Sequence, residues 1–89
     1  MSDSPIDVFN FPCDFPIKAF GRNSDDFEAL VVDIVRRHAP DLDDSAVTRH
    51  FSGADAFRSV TVTFTAHSRE QLDALYRELS AHEQVLMLL

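Results

Sequence analysis

Between Phe57 and Ala66 the chain reads FRSVTVTFTA, and apolar and small polar side chains alternate with period two: Val60, Val62, Phe64 and Ala66 on one side, Ser59, Thr61, Thr63 and Thr65 on the other. This predicts a half-buried strand. β-Branched residues at five of its ten positions suit a pleated surface, and the length suits a central strand rather than an edge. Phe15 to Gly21 alternates more briefly, with Ile17 and Ala19 on one side and Lys18 and Phe20 on the other, and Gly21 is expected to end that strand. Ala46 to Ser52 alternates weakly, Val47 and Phe51 flanking Arg49, and reads as an edge strand joined to the central one by the turn residues Gly53, Ala54 and Asp55. Gln84 to Leu89, ending VLMLL, predicts a short last strand at a sheet edge.

Two segments carry the helical period instead. Phe27, Leu30, Val31, Ile34, Val35 and His38 recur at spacings of three and four, with Glu28, Asp33, Arg36 and Arg37 opposite. Gly21 to Ser24 offers a turn and several N-caps, Asp25 and Asp26 suit the positive end of the helix dipole, and Pro40 prevents continuation. The second helix begins at a capping box, Ser68-Arg69-Glu70-Gln71, and its buried stripe is Leu72, Leu75, Tyr76 and Leu79, with Asp73 and Arg77 spaced for an ion pair. The element order β-α-β-β-α-β, with right-handed crossovers, predicts an α+β two-layer sandwich of the ferredoxin-like kind: a four-stranded antiparallel sheet with two helices on one face. Residues 1–10 read as a flexible N-terminal arm and 11–89 as a single domain.

Composition narrows the functions. A formal charge of −7 and a pI near 4.7 set the protein's field against phosphate backbones and anionic lipid, so neither nucleic acid nor membrane is an expected partner. The first thirty residues contain neither a basic n-region nor an apolar h-region, and the single cysteine, Cys13, cannot form an internal disulfide, which together place the chain in the cytoplasm.

Candidate chemistry is sparse. His38, His50, His67 and His82 share no metal-ligand spacing, Asp41, Asp43 and Asp44 open like a calcium loop but meet Ala46 and Ser52 where glycine and glutamate are needed, and Cys13 has an aspartate beside it rather than an activating cation. No metal, cofactor or catalytic residue is expected. The open sheet face offers only Phe20 and Phe57 as rings for stacking a base. The turn Gly21, Arg22, Asn23 and Ser24, at a helix N-terminus, is the one place suited to a small anion, although Asp25 and Asp26 already occupy its field.

Four segments carry a resemblance: FPCDFPIKAFG at Phe11 to Gly21, VVDIVRRHAP at Val31 to Pro40, SVTVTFTAHSREQLDALYREL at Ser59 to Leu79, and the terminal VLMLL. In this order and spacing they resemble the YbeD-like family of small bacterial proteins, which implies a fold like that of the ACT regulatory domain. The hairpin from Arg49 to Ala56 departs most from the family, and the resemblance brings no catalytic residue with it.

Surplus apolar surface therefore guides the functional expectation. Val85, Met87 and Leu89 should leave one face of the last strand and Leu86 and Leu88 the other, so one set must look for cover beyond the helical layer. With Phe20 and Phe57 these five residues form an expected interaction surface for a protein partner or a homodimer. The favoured reading is a non-enzymatic regulatory or adaptor domain acting through protein contacts. The alternative is an ACT-like sensor of an amino acid or metabolite at Gly21 to Ser24.

Overall fold

In the computed structural model, which describes residues 11–89, β3 spans Phe57–Ala66, the range its alternation predicts. It lies between β1 (Cys13–Arg22) and β2 (Val47–Ser52), antiparallel to both. All ten residues of β1 pair with all ten of β3, from Cys13 opposite Ala66 to Arg22 opposite Phe57. β4 (Met87–Leu88) joins the free side of β1, so the strand order is β2-β3-β1-β4, with β2 and β4 at the edges. Helices α1 (Asp25–His38) and α2 (Arg69–Ala81) complete the β-α-β-β-α-β order. The fold is the ferredoxin-like arrangement expected from the sequence, and the arm expected at residues 1–10 lies outside the described residues.

The core forms where the two periodicities meet. Ile17 and Ala19 of β1 and Val60, Val62, Phe64 and Ala66 of β3 are buried beneath Phe27, Val31, Ile34 and Val35 of α1 and Leu72, Leu75 and Leu79 of α2. Tyr76 is half-buried beside them and meets Phe15 edge-on at 6.3 Å between ring centres. Both helix starts use the residues that the sequence marks. Ser24 Oγ accepts from the backbone of Asp26 at 3.1 Å and of Phe27 at 3.4 Å, and Ser68 Oγ accepts from Gln71 N at 3.1 Å. Gln71 completes the box one residue earlier than expected, accepting from His67 N at 2.5 Å, and its amide nitrogen donates to the His38 carbonyl at 2.8 Å. A residue chosen for capping α2 thus also satisfies the end of α1.

Several boundaries differ from the expectation. Gly21 does not end β1, which continues to Arg22; it lies buried within the strand, where an added Cβ would sit 2.5 Å from the Phe27 ring. Close packing, not a turn, requires glycine there. The start of the segment assigned to β2 is a 3₁₀ turn, Asp44–Ala46, capped by the Asp43 carboxylate accepting from Ser45 N at 2.9 Å. Asp73 and Arg77, both exposed, form no ion pair, whereas Asp33 and Arg37 at the same spacing in α1 approach to 3.5 Å.

The largest correction concerns the C-terminal segment. Its strand is two residues long rather than six, because a turn closed by Val85 N donating to the His82 carbonyl at 3.0 Å takes up the preceding residues. Strict alternation therefore does not hold. Val85 and Leu88 both pack against the core, whereas Leu86, Met87 and Leu89 are 56%, 52% and 65% exposed.

Phe64 is buried and Thr63, its neighbour on the opposite face, is exposed. Phe64→Ala should therefore cost about 3–5 kcal/mol in urea unfolding and Thr63→Ala less than ~1. Gly21→Ala should cost roughly 1–3 kcal/mol, because the Phe27 ring must move to admit the methyl group. Equal losses at Phe64 and Thr63 would contradict a sheet covered on one face.

Candidate functional site at the first helix and the C-terminal segment

The two regions singled out in the sequence come together. Arg22 and Ser24 from the β1–α1 turn, Phe27 from the first turn of α1, and Glu83, Gln84 and Leu86 from the segment before β4 line one groove of about 390 Å³. Its wall is apolar at Phe27 and Leu86, and its charged groups, Arg22 and Glu83, are exposed. Sequence reasoning missed Phe27, Glu83 and Gln84 as lining residues, since the turn that presents the last two has no glycine or proline to announce it.

The turn is nevertheless largely committed to holding the fold. Ser24 spends its hydroxyl on two helix donors, and Gly21 is buried under Phe27. Asn23 is bound entirely to the β2–β3 hairpin: its backbone N donates to the Ala56 carbonyl at 3.0 Å, its Nδ2 donates to the Asp55 carbonyl at 2.7 Å, and its Oδ1 accepts from Arg58 Nε at 3.1 Å. These bonds hold a hairpin tip in which Gly53, Ala54 and Asp55 all have left-handed φ angles, of 61°, 56° and 66°. Of the three turn residues with side chains, only Arg22 has no side-chain partner among the described residues.

Behind the turn lies a charged cluster that the sequence does not announce. Arg58 is only 8% exposed and donates to Glu28 Oε1 at 3.1 Å, lies 3.1 Å from Asp25 Oδ1, and stacks its guanidinium 5.0 Å from the Phe51 ring centre. Arg49 clamps the same Glu28 carboxylate with Nε at 2.6 Å and Nη2 at 2.5 Å. The one available signal was parity: Arg58 falls on the same side of β3 as Val60 and Val62, so its charge had to be buried and paired. The hydrogen bonds of Arg49, followed by the charges of both arginines, hold the Glu28 carboxyl below its ordinary pKa against the opposing effect of burial.

Other sequence candidates are dispersed. His38 Nε2 lies 2.7 Å from Glu78 Oε1, and Arg37 holds the other oxygen at 2.5 Å, a tie between the helices that lowers the Glu78 pKa. His82 is the C-cap of α2, while His50 and His67 are exposed on β2 and beyond β3. Cys13 is half-buried opposite Ala66, on the helical face. Phe20 lies opposite Met87 on the open face, with Leu89 next to it opposite Lys18 and Phe57, 40% exposed, diagonal to it across β1 and β3. Leu86 turns instead into the groove, so the expected interaction surface divides between the groove and the open face.

Comparison with known proteins places the chain in a family and accords with its fold. A family model described as "Protein of unknown function (DUF493)" matches residues 7–89. A UPF0250 protein of Chromobacterium violaceum is 44% identical over the whole of both chains, and one of Nitrosomonas europaea is 44% identical over 92% of this chain and 94% of its own. The YbeD-like resemblance is thereby borne out. The solution structure of protein HP0495 from H. pylori, 14% identical, superposes on the whole chain and on 93% of its own with a TM-score of 0.72, a likeness of fold.

Because the folded Glu28 pKa lies below its ordinary 4.5, the Glu28 clamp contributes its full stability above that value and loses it as pH falls through the lower, folded-state pKa. Thermal unfolding should therefore show a midpoint that declines on acidification below about pH 4.5, and Glu28→Gln should make that decline shallower. An unchanged slope in the variant would mean that the carboxylate contributes nothing.

Proposed function

The chain belongs to this DUF493 family of small bacterial proteins, and on the geometry above we propose that it is a non-enzymatic regulatory or adaptor domain that acts through protein contacts and self-associates through its open sheet face. The observation that carries this reading is the exposure of Met87 and Leu89 beside Phe20 on the side of the sheet opposite α1 and α2. With a net charge of −7, two copies repel unless they meet where carboxylates are scarce. The register supplies such a place, since the open-face positions around Phe20 are Lys18, Ser59, Thr61, Met87 and Leu89, none of them acidic. A second copy packed face to face would cover these side chains without any special motif. Strand addition at β4 is disfavoured because two residues present too few outward backbone groups.

A second reading is favoured by the groove between the β1–α1 turn and Leu86. Its volume suits an amino acid or a similar metabolite, with Arg22 as the cation for a carboxylate and Phe27 and Leu86 against an apolar side chain. This is the sensor alternative. Against it stands the commitment of Ser24 and Asn23 to the fold.

Sedimentation equilibrium on the parent and on Met87→Lys separates these readings. The variant should remain folded, because Met87 is half exposed, and should associate about tenfold more weakly or less. Leu88→Ala, whose side chain packs on the core, should instead lower thermal stability. Parental association in Met87→Lys excludes the open face as the interface, and a thermal shift of several degrees with an amino acid, lost in Arg22→Ala, would favour the sensor.

A further inference from the structure

The other sheet edge has a different chemistry. Lys18 and Leu89 exchange both backbone hydrogen bonds, at 3.1 and 2.8 Å, so Lys18 turns its N–H and C=O toward β4 and Ala19 turns its own toward β3. Antiparallel pairing passes this parity across the register. Ala19 bonds Val60, Ser59 and Thr61 turn toward β2, and their partners His50 and Thr48 are the β2 residues bonded to β3. Arg49 and Phe51 therefore direct their backbone N–H and C=O groups outward, where they have no hydrogen-bond partner among the described residues. The Val47 carbonyl points the same way, while its N–H is held by the Asp44 carbonyl.

β2 is also held ready for a further strand. Every residue from Val47 to Ser52 is in register with β3, with no proline or bulge, and the Arg49–Glu28 and Arg58–Phe51 contacts pin it against α1. Beside its outer edge, on the helical face, runs a groove of about 400 Å³ whose floor includes Ala29, Val32 and Val47. Its ends carry carboxylates. Asp25 stands near the Phe51 end, 98% exposed, and Asp44 near the Val47 end, 91% exposed. Each carboxylate at the groove is paired with a guanidinium, Asp25 with Arg58, Asp44 with Arg36 and Glu28 with Arg49, but those three arginines are 9%, 45% and 49% exposed, so Asp25 and Asp44 are the most exposed charges there.

We infer that the β2 edge accepts an extended segment of the pattern basic-x-apolar-x-basic from a protein partner, added as a fifth strand beside Val47–Ser52. Its backbone pairs with Arg49 and Phe51. Alternate side chains enter the groove, the central one against Ala29 and Val32 and the outer two toward Asp44 and Asp25. The two outer residues of the pattern, four apart and so about 13 Å from each other, stand opposite Val47 and Phe51 when the central one stands opposite Arg49. Recognition is by main-chain bonds for affinity and by alternate side chains for specificity. This surface is separate from the open-face contact proposed above, at the opposite edge of the sheet.

The test is an amide NMR titration of the full chain with the peptide acetyl-Thr-Arg-Thr-Val-Thr-Arg-Thr-amide. Saturable shifts should centre on the amides of Arg49 and Phe51, with a dissociation constant of about 1 mM or below. Replacing the peptide's arginines by glutamates should abolish them, as should N-methylation of its edge-facing amides. The Asp44→Asn variant, which leaves the partners of Arg58 in place, should bind about twofold more weakly at low salt, its spectrum away from Asp44 and β2 remaining that of the parent. Four results would overturn the inference: no shifts at millimolar peptide, shifts centred elsewhere, equal binding of the glutamate or methylated peptide, or concentration-dependent protection of the Arg49 and Phe51 amides without peptide, which would assign the edge to a second copy. Because Met87→Lys leaves β2 untouched, loss of self-association and loss of peptide binding are read independently.

Discussion

The ladder between β1 and β3 is the constraint on which everything else in this molecule rests. Ten residues face ten without a bulge, and this long pairing orients both strands so that Ile17, Ala19, Val60, Val62, Phe64 and Ala66 present one continuous apolar face. Side-chain period two leaves no choice of register, because a slip of one residue would turn the threonines of β3 inward and its valines outward. Both helices then bury their stripes on that face. The ladder is non-local, joining residues about forty positions apart, so it forms only with the chain between already arranged; contacts within α1 and the β2–β3 hairpin are the local structure that assists it.

A second level of organisation is electrostatic. Arg58 lies at a position whose parity demands burial, and its charge is tolerated because Glu28, Asp25 and Asn23 converge on it and Phe51 covers it. Removing one partner would leave a buried guanidinium short of acceptors, a costlier state than an apolar core of the same shape. The cluster also ties three separate segments, the β1–α1 turn, the first turn of α1 and the β2–β3 hairpin. Asn23 adds its bonds to a hairpin tip with two non-glycine residues at left-handed φ, a conformation that the surrounding bonds must hold. At the other end of the helices Gln71, His38, Glu78 and Arg37 perform the same joining task.

These ties leave the two sheet edges unlike each other. β4 is short and apolar, and it exposes Met87 and Leu89 beside Phe20 on the neighbouring strand. β2 is longer, mostly polar and supported by charge, and it presents backbone groups beside the half-exposed Phe51 ring. This asymmetry is the basis of the two proposals above, one contact by side-chain burial and the other by main-chain pairing. The groove at the β1–α1 turn lies between the α1 N-terminus and the C-terminal segment, with Leu86 as its link to the apolar edge.

Local pattern was enough for the elements and their order. The alternation of β3, the stripe Phe27, Val31, Ile34 and Val35, the caps at Ser24 and Ser68 and the edge position of β2 were all legible, because each depends on side-chain periodicity or on a hydrogen bond within a few residues. The ends of elements were less so. Gly21 looks like a terminator in one dimension and is a packing glycine in three, because its reason for being glycine, the Phe27 ring, comes from the next element. The VLMLL segment reads as a strand with two faces, yet the His82–Val85 turn consumes part of it and lets Val85 and Leu88 enter the core together. The pairing of Arg58 and Arg49 with Glu28, the groove that unites Arg22 with Leu86, and the outward phase of the β2 backbone were decided only by tertiary structure. Each depends on residues from two or three distant segments meeting in one register, and no short-range pattern in a single chain encodes where such segments will meet.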